Sequence, residues 1–225
     1  MPEKVIIAAD DERIVAAAES FGAECVLTST EHKSGTDRIA EAVKKIADSG
    51  QRIGDSGRKL NAIRYTLNAN DIVLNLQADE PELDPENIDY VAQLLMNNAN
   101  YQMATLAADF ESHEQITDPN IVKVIADCNG RAIYFSRAPI PYDREKSGVG
   151  EIGQYLRHIG IYAYRKEFLL KITSLPQTPL EKIEKLEQLR AVENGFPVLV
   201  GKVEHTCDGI DTPEQYAEFV KRYNK

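Results

Sequence analysis

Asp71-Ile72-Val73-Leu74-Asn75-Leu76-Gln77-Ala78-Asp79-Glu80-Pro81 runs an apolar, β-branched segment into two acids and a proline. The apolar positions at 72–76 fit a short strand covered on both faces. Pro81 cannot continue a ladder, so the chain turns there and leaves Asp79 and Glu80 at the carboxyl end of the strand, where open α/β sheets bind ligands. A carboxylate in that place could face a metal-bound phosphate; a strand followed by an acidic turn is the plainer alternative.

Strands and helices alternate on either side of this segment. Residues 4–9 read as a strand, and Asp10-Asp11 offers a cap for an amphipathic helix at 12–20, closed by Gly22. After a strand at 24–27, Ser34-Gly35-Thr36-Asp37-Arg38 opens a helix whose Ile39, Ala42, Val43 and Ile46 recur at helical spacing. Residues 48–58, rich in Gly, Ser and charge, read as an exposed loop. Asp84-Pro85 starts a helix running to about 97. The alternation predicts a mainly parallel sheet with helices on both faces. The second half changes character: 101–108, 121–126 and 131–135 read as consecutive strands, with a hairpin turn at Asn129-Gly130, and 156–164 adds another. Helices at 166–173 and 179–193, a strand at 197–203 and a helix at 212–223 complete the pattern. One α/β domain over 1–225 is expected, with a β-rich excursion from about 101 to 165 framing a pocket or a dimer contact.

Composition bounds the chemistry. With 225 residues, 43% of them apolar, the chain can bury a full core. Cys25, Cys128 and Cys207 are odd in number and lack CxxC spacing, which argues against a disulfide framework or a zinc site. No segment approaches the ~18 apolar residues of a membrane helix, and Met1-Pro2-Glu3-Lys4-Val5 does not begin a signal peptide, so a cytoplasmic protein is expected. A net charge of −10 disfavours nonspecific nucleic-acid binding and leaves anionic substrates dependent on a local basic cluster or a divalent cation. An acidic enzyme acting on a nucleotide is therefore expected to use Mg²⁺.

Several polar clusters each carry two readings. At Ser34-Gly35-Thr36-Asp37-Arg38, unpaired N–H groups and a glycine could let a base or phosphate approach, or simply cap a helix. Ser136-Arg137-Ala138-Pro139-Ile140-Pro141-Tyr142-Asp143-Arg144 places Arg137 and Arg144 on a proline-stiffened loop. The arginine fork suits a sugar-acid carboxylate, although loop arginines are often just solvated. In Arg157-His158-Ile159-Gly160-Ile161-Tyr162, alternation puts His158, Gly160 and Tyr162 on one strand face, as pocket lining or as half-buried, satisfied residues. Leu186-Glu187-Gln188-Leu189-Arg190 sits on the late helix, where the leucines account for the core. Asp211, in Asp208-Gly209-Ile210-Asp211-Thr212-Pro213-Glu214, precedes a helix; it caps that helix, or ligates metal if Asp79 is its neighbour.

Taken in order, Ser-Gly-Thr-Asp-Arg, Leu-Gln-Ala-Asp-Glu-Pro, Tyr-Phe-Ser-Arg-Ala-Pro-Ile-Pro, Arg-His-Ile-Gly-Ile-Tyr, Leu-Glu-Gln-Leu-Arg and Gly-Ile-Asp-Thr-Pro-Glu make the chain closely resemble the 3-deoxy-manno-octulosonate cytidylyltransferase (CMP-Kdo synthetase) family. The resemblance spans about 4–223. Related nucleotidyltransferases share the fold and an acidic metal site, but the Arg-His-Ile-Gly-Ile-Tyr and Leu-Glu-Gln-Leu-Arg pair points within that group to this family. The resemblance implies a Rossmann-like nucleotidyltransferase fold, a homodimer, and the reaction of CTP with Kdo to CMP-Kdo and pyrophosphate for lipopolysaccharide synthesis. It implies that Asp79 and Asp211 hold Mg²⁺, that Gln77, Arg137, Arg144, His158, Tyr162, Glu187 and Gln188 surround the sugar acid, and that Ser34, Gly35 and Arg38 approach the cytidine. Asp79, Asp211 and Arg144 would be the catalytic groups. The 8-amino analogue of Kdo is an alternative substrate, and a noncatalytic sugar-acid-binding subunit an alternative role. Family members also carry, ahead of the matching part, a strand, a basic loop of the type Pro-Ala-Arg-x-x-Ser-x-Arg-Pro-Gly-Lys-Pro-Leu for the triphosphate, and a helix. The expectation is that this sequence starts downstream of the true start or is a fragment.

Overall fold

The computed structural model describes residues 2–49, 67–68, 71–204, 209–210 and 212–223. From residue 50 onward, the loop expected at 48–58 lies outside them, as does Asp211. In chain order the elements are β1 (Ile7–Ala9), α1 (Glu12–Ser20), β2 (Cys25–Leu27), α2 (Gly35–Ser49), β3 (Ile72–Asn75), α3 (Pro85–Asn97), β4 (Met103–Asp109), α4 (His113–Thr117), β5 (Lys123–Ala126), β6 (Ala132–Ser136), β7 (Leu156–Arg165), α5 (Lys166–Ser174), α6 (Pro179–Glu184), α7 (Leu189–Glu193), β8 (Val198–Val203) and α8 (Pro213–Tyr223). They form two compact units, one of Met1–Asn75 with Tyr164–Phe196 and one of Leu76–Ala163 with Pro197–Lys225.

In the first unit, β1 and β2 pair in parallel with Ile7 opposite Cys25 and Ala9 opposite Leu27. The Asp11 carboxylate caps α1 by accepting the Arg13 N–H at 2.8 Å, and Gly22 ends the helix at φ +82°, a conformation that favours glycine. The apolar stripe of α2 places Ala42 and Ile46 against Val26, with Ile6 and Ala8 packed beside them. The late helix expected at 179–193 is broken: Lys185 adopts φ +56°, which stops α6 and lets α7 start afresh.

The second unit carries the strand order β6-β5-β7-β4-β8. β4 and β8 run parallel, Met103 opposite Val198, whereas β5 is antiparallel to both β6 and β7. The segment 101–165 therefore places β4 and β7 in the middle of the sheet and adds the β5–β6 hairpin at one end. Gly130, at φ +78°, makes that hairpin turn. The strand buried on both faces is β4, where every residue from Met103 to Ala108 is buried, and not 72–76 as expected. Ile72, Val73 and Leu74 are only half-buried and Leu76 is 42% exposed, so that apolar run is fully covered on neither face. Val91 and Leu95 of α3 pack fully buried, and Gly201 of β8 has no room for a side chain because a Cβ there would lie 2.8 Å from Leu94 and Tyr90. The helix α4, capped by Ser112, was not expected from periodicity.

Candidate functional site

The first unit brings two distant motifs together at the start of α2. Ser34 Oγ accepts the Asp37 N–H at 3.1 Å, an ordinary cap. The Gly35 and Thr36 N–H groups donate to the two carboxylate oxygens of Glu187, each at 3.1 Å. An anion thus already occupies the helix start, so a phosphate has no free N–H pair there, whereas the exposed Gly35 leaves open space for the flat face of a base. Below this turn, Arg190 is buried and grips Glu181 through Nε (2.9 Å) and Nη2 (2.6 Å), and reaches Asp37 through Nη1 at 3.2 Å. These carboxylates hold the Arg190 guanidinium above its ordinary pKa, with Glu181 the main cause and burial opposing it. Burial likewise raises the phenol of Tyr164, which hydrogen-bonds Thr36.

Arg38 does not point free charge outward. Its guanidinium donates to Asp10 Oδ2 at 2.7 Å and Thr28 Oγ1 at 2.9 Å, joining the carboxyl ends of β1 and β2 to α2. Gln188 is buried and its Nε2 has no hydrogen-bond partner among the described residues. An orphaned buried donor is destabilising unless something else accepts from it.

The second unit assembles another group around β7. His158, Gly160 and Tyr162 alternate onto one face, and the His158 and Tyr162 rings lie 5.5 Å apart. Gly160 is the seat for the chain after β3: a Cβ there would stand 2.9 Å from Glu80 Oε1 and 3.4 Å from Gln77 Nε2. His158 is held neutral, its pKa pushed down to about 3 by burial. Its Nε2 lies 2.9 Å from the hydroxyl of Thr105, a fully buried residue of β4.

Asp79 sits exposed on the turn that follows, and its backbone oxygen accepts the Ile210 N–H at 2.7 Å. The chain immediately ahead of Asp211 is therefore tied to the Asp79 turn. The cap of α8 is supplied by Thr212, whose hydroxyl accepts the Gln215 N–H at 3.2 Å while Gln215 returns its side-chain oxygen to the Thr212 N–H at 2.9 Å. Among the described residues no group of three or more His, Cys, Asp or Glu is arranged to hold a metal ion.

The two loop arginines part company. Arg137 donates to the Pro119 carbonyl at 2.9 Å, and its own carbonyl accepts from the buried Lys123 at 2.7 Å. Lys123 also donates to the Asp118 and Ile121 carbonyls, at 2.8 and 2.7 Å, which fixes the loop base from inside. Arg144 lies exposed on the following turn, anchored nearby where the Tyr155 hydroxyl donates to the Pro141 carbonyl and accepts from Gly150, each at 2.9 Å. Thr105 and Lys123 were missed by sequence reasoning, which placed Glu80 at the ligand-binding end of its strand and met Arg190 only as part of a helix motif. Only Thr105, a lone hydroxyl within Met103-Ala104-Thr105-Leu106-Ala107, carried a local signal.

A cytidylyltransferase family model matches residues 1–204. The 3-deoxy-manno-octulosonate cytidylyltransferase of Thermodesulfovibrio yellowstonii is 46% identical over 216 residues, covering 95% of this chain and 79% of that protein. Its counterpart from Solibacter usitatus is 43% identical over 209 residues, covering 93% and 73%. Among solved structures, a CMP:2-keto-3-deoxy-manno-octonic acid synthetase complexed with CTP matches with a TM-score of 0.79 at 33% identity, over 98% of this chain and 80% of that one. A 4-diphosphocytidyl-2C-methyl-D-erythritol synthase from Anaerococcus prevotii, 13% identical with a TM-score of 0.54 over 99% and 82%, shares the fold.

Proposed function

The chain belongs to the cytidylyltransferase family and has a nucleotidyltransferase fold, and on that premise we propose that it transfers CMP from CTP to Kdo. The anomeric hydroxyl oxygen of the sugar bonds to the α-phosphorus while the bond from that phosphorus to the β-bridging oxygen breaks. Pyrophosphate leaves and the hydroxyl proton passes to solvent.

The observation that carries the reading is the seat on β7. Gln77 and Glu80 lie over Gly160, on the face shared by His158 and Tyr162, one turn from the exposed carboxylate of Asp79. Neutral and amide groups packed on a β-strand suit the hydroxyls of a sugar and reject analogues that leave one unpaired. Arg144, exposed on its anchored turn, answers the sugar carboxylate. The start of α2 serves the nucleotide: Ser34 and Arg38 fix its geometry, Gly35 admits the base, and Glu187 braces the turn. The unpartnered Nε2 of Gln188 is a donor awaiting a substrate oxygen.

Asp79 and Asp211 would hold Mg²⁺, a reading supported by the Ile210–Asp79 hydrogen bond and by a carboxylate chemistry that suits a hard cation. When bound, the ion supplies positive charge where two anions must meet. A homodimer belongs to the same reading. Among the described residues no helix is long and apolar enough to cross a membrane.

Pyrophosphate release from CTP with Mg²⁺ and a panel of sugar acids, 8-amino-Kdo among them, tests the proposal. Saturable release with Kdo is expected. Release driven better by another sugar acid would reassign the substrate, and sugar binding without release would leave a binding protein.

A further inference from the structure

We propose that Thr105 is a positioning residue that fixes the tautomer of His158, so that the sugar site presents an imidazole Nδ1 acceptor and demands a hydrogen-bond donor from its substrate. This rests on the reading of the β7 face as the sugar site. Thr105 is fully buried, and its Oγ1 faces three partners: His158 Nε2 at 2.9 Å, the Ile161 carbonyl at 2.8 Å and the Ile159 carbonyl at 3.2 Å.

A hydroxyl has one hydrogen to give. The two carbonyl oxygens can only accept, and leaving both against a bare Oγ1 in a dry interior would set lone pairs against lone pairs. The Thr105 hydrogen is therefore committed to the carbonyls, which leaves Oγ1 as an acceptor toward the ring. His158 Nε2 must carry the proton. Because burial holds the ring neutral, with a pKa pushed down to about 3, Nδ1 is then the unprotonated nitrogen over the whole working range.

Among the described residues Nδ1 has no hydrogen-bond partner. Its ring is flanked instead by the edge-on Phe135 at 5.0 Å and by Tyr162 at 5.5 Å, contacts that hold its plane without using the nitrogen. The substrate group that satisfies it must be a hydroxyl or an amine. A keto, fluoro or ether substituent at that position would bring a second acceptor and be refused.

The test uses Thr105→Val, which keeps the shape and removes the hydroxyl, and Thr105→Ser, which restores the hydroxyl without the methyl. Long-range ¹H–¹⁵N correlation spectra of the full chain report the tautomer directly, without turnover. Wild type and Thr105→Ser should show His158 with Nε2 protonated and Nδ1 bare, and Thr105→Val should show a mixture or the reverse. In the pyrophosphate assay, Thr105→Val should raise the KM for sugar roughly five- to tenfold, the loss of about one well-placed hydrogen bond, and leave the KM for CTP unchanged. A wild-type ring protonated at Nδ1, or a Thr105→Val chain that keeps the wild-type tautomer, would overturn the inference. A shifted tautomer with an unmoved sugar KM would uphold the Thr105 role but place the sugar elsewhere, which counts against the proposed site.

Discussion

Glu187→Ala tests how the late motif supports the nucleotide turn. Each Glu187 oxygen accepts one first-turn N–H of α2 at 3.1 Å, so truncation releases two donors at once. Loss of a cap costs about 0.5–2 kcal/mol. The carboxylate charge against the positive helix start adds about 0.3–1 kcal/mol, kept at the low end because the residue is half-buried and water replaces part of the interaction. A net loss of roughly 1–3 kcal/mol is expected in urea unfolding. If the turn presents the base, the KM for CTP should rise roughly tenfold, while the KM for sugar holds. Glu187→Gln keeps one acceptor but turns an NH₂ toward the other N–H, and should fall between. Unchanged stability together with an unchanged KM for CTP would refute the brace. A shift in the KM for sugar alone would make Glu187 a sugar ligand.

Other perturbations separate the remaining parts. Arg190→Met leaves Glu181 buried without its cation and should cost about 3–5 kcal/mol by denaturant melt; a loss under about 1 kcal/mol would mean the network is not desolvated. His158 has its pKa lowered from 6.5 to about 3 in the folded chain, so the unfolded chain binds the extra proton and stability is lost as pH falls below about 6.5. Replacing His158 by Gln should flatten that dependence by up to about 1.4 kcal/mol per pH unit between those values, and an unaltered slope would contradict the burial argument. Gly160→Ala displaces only side-chain ends, Glu80 Oε1 and Gln77 Nε2, so it should raise the KM for sugar with little change in melting; a wild-type KM would remove Gln77 from the sugar face. Asp79→Asn should abolish pyrophosphate release at any Mg²⁺ concentration, and turnover like the wild type would end its metal role.

Periodicity made most of the fold readable in the sequence, because an amphipathic helix such as α2 and a hairpin signal such as Asn129-Gly130 are local features. What stayed hidden depended on partners far along the chain. Burial of β4 on both faces, rather than of 72–76, is decided by what packs around Met103–Ala108, and both segments read alike as apolar runs. The break at Lys185 falls between leucines that continue a helical spacing, so composition did not mark it. Within the site, the shared face of His158, Gly160 and Tyr162 followed from strand alternation alone. The hold of Glu187 on Gly35 spans 152 positions and could not follow from any local pattern. The choice between cap and ligand for Asp211 was undecidable in sequence, because it turns on whether Asp79, far back along the chain, is its neighbour.

Phosphorus NMR of the chain with CTP, Mg²⁺ and Kdo labelled with ¹³C at its anomeric carbon tests the central claim most directly. The account predicts a new phosphodiester resonance coupled to that carbon, growing in step with pyrophosphate. CTP that stays intact, or pyrophosphate that appears without a carbon-coupled phosphodiester, would contradict it.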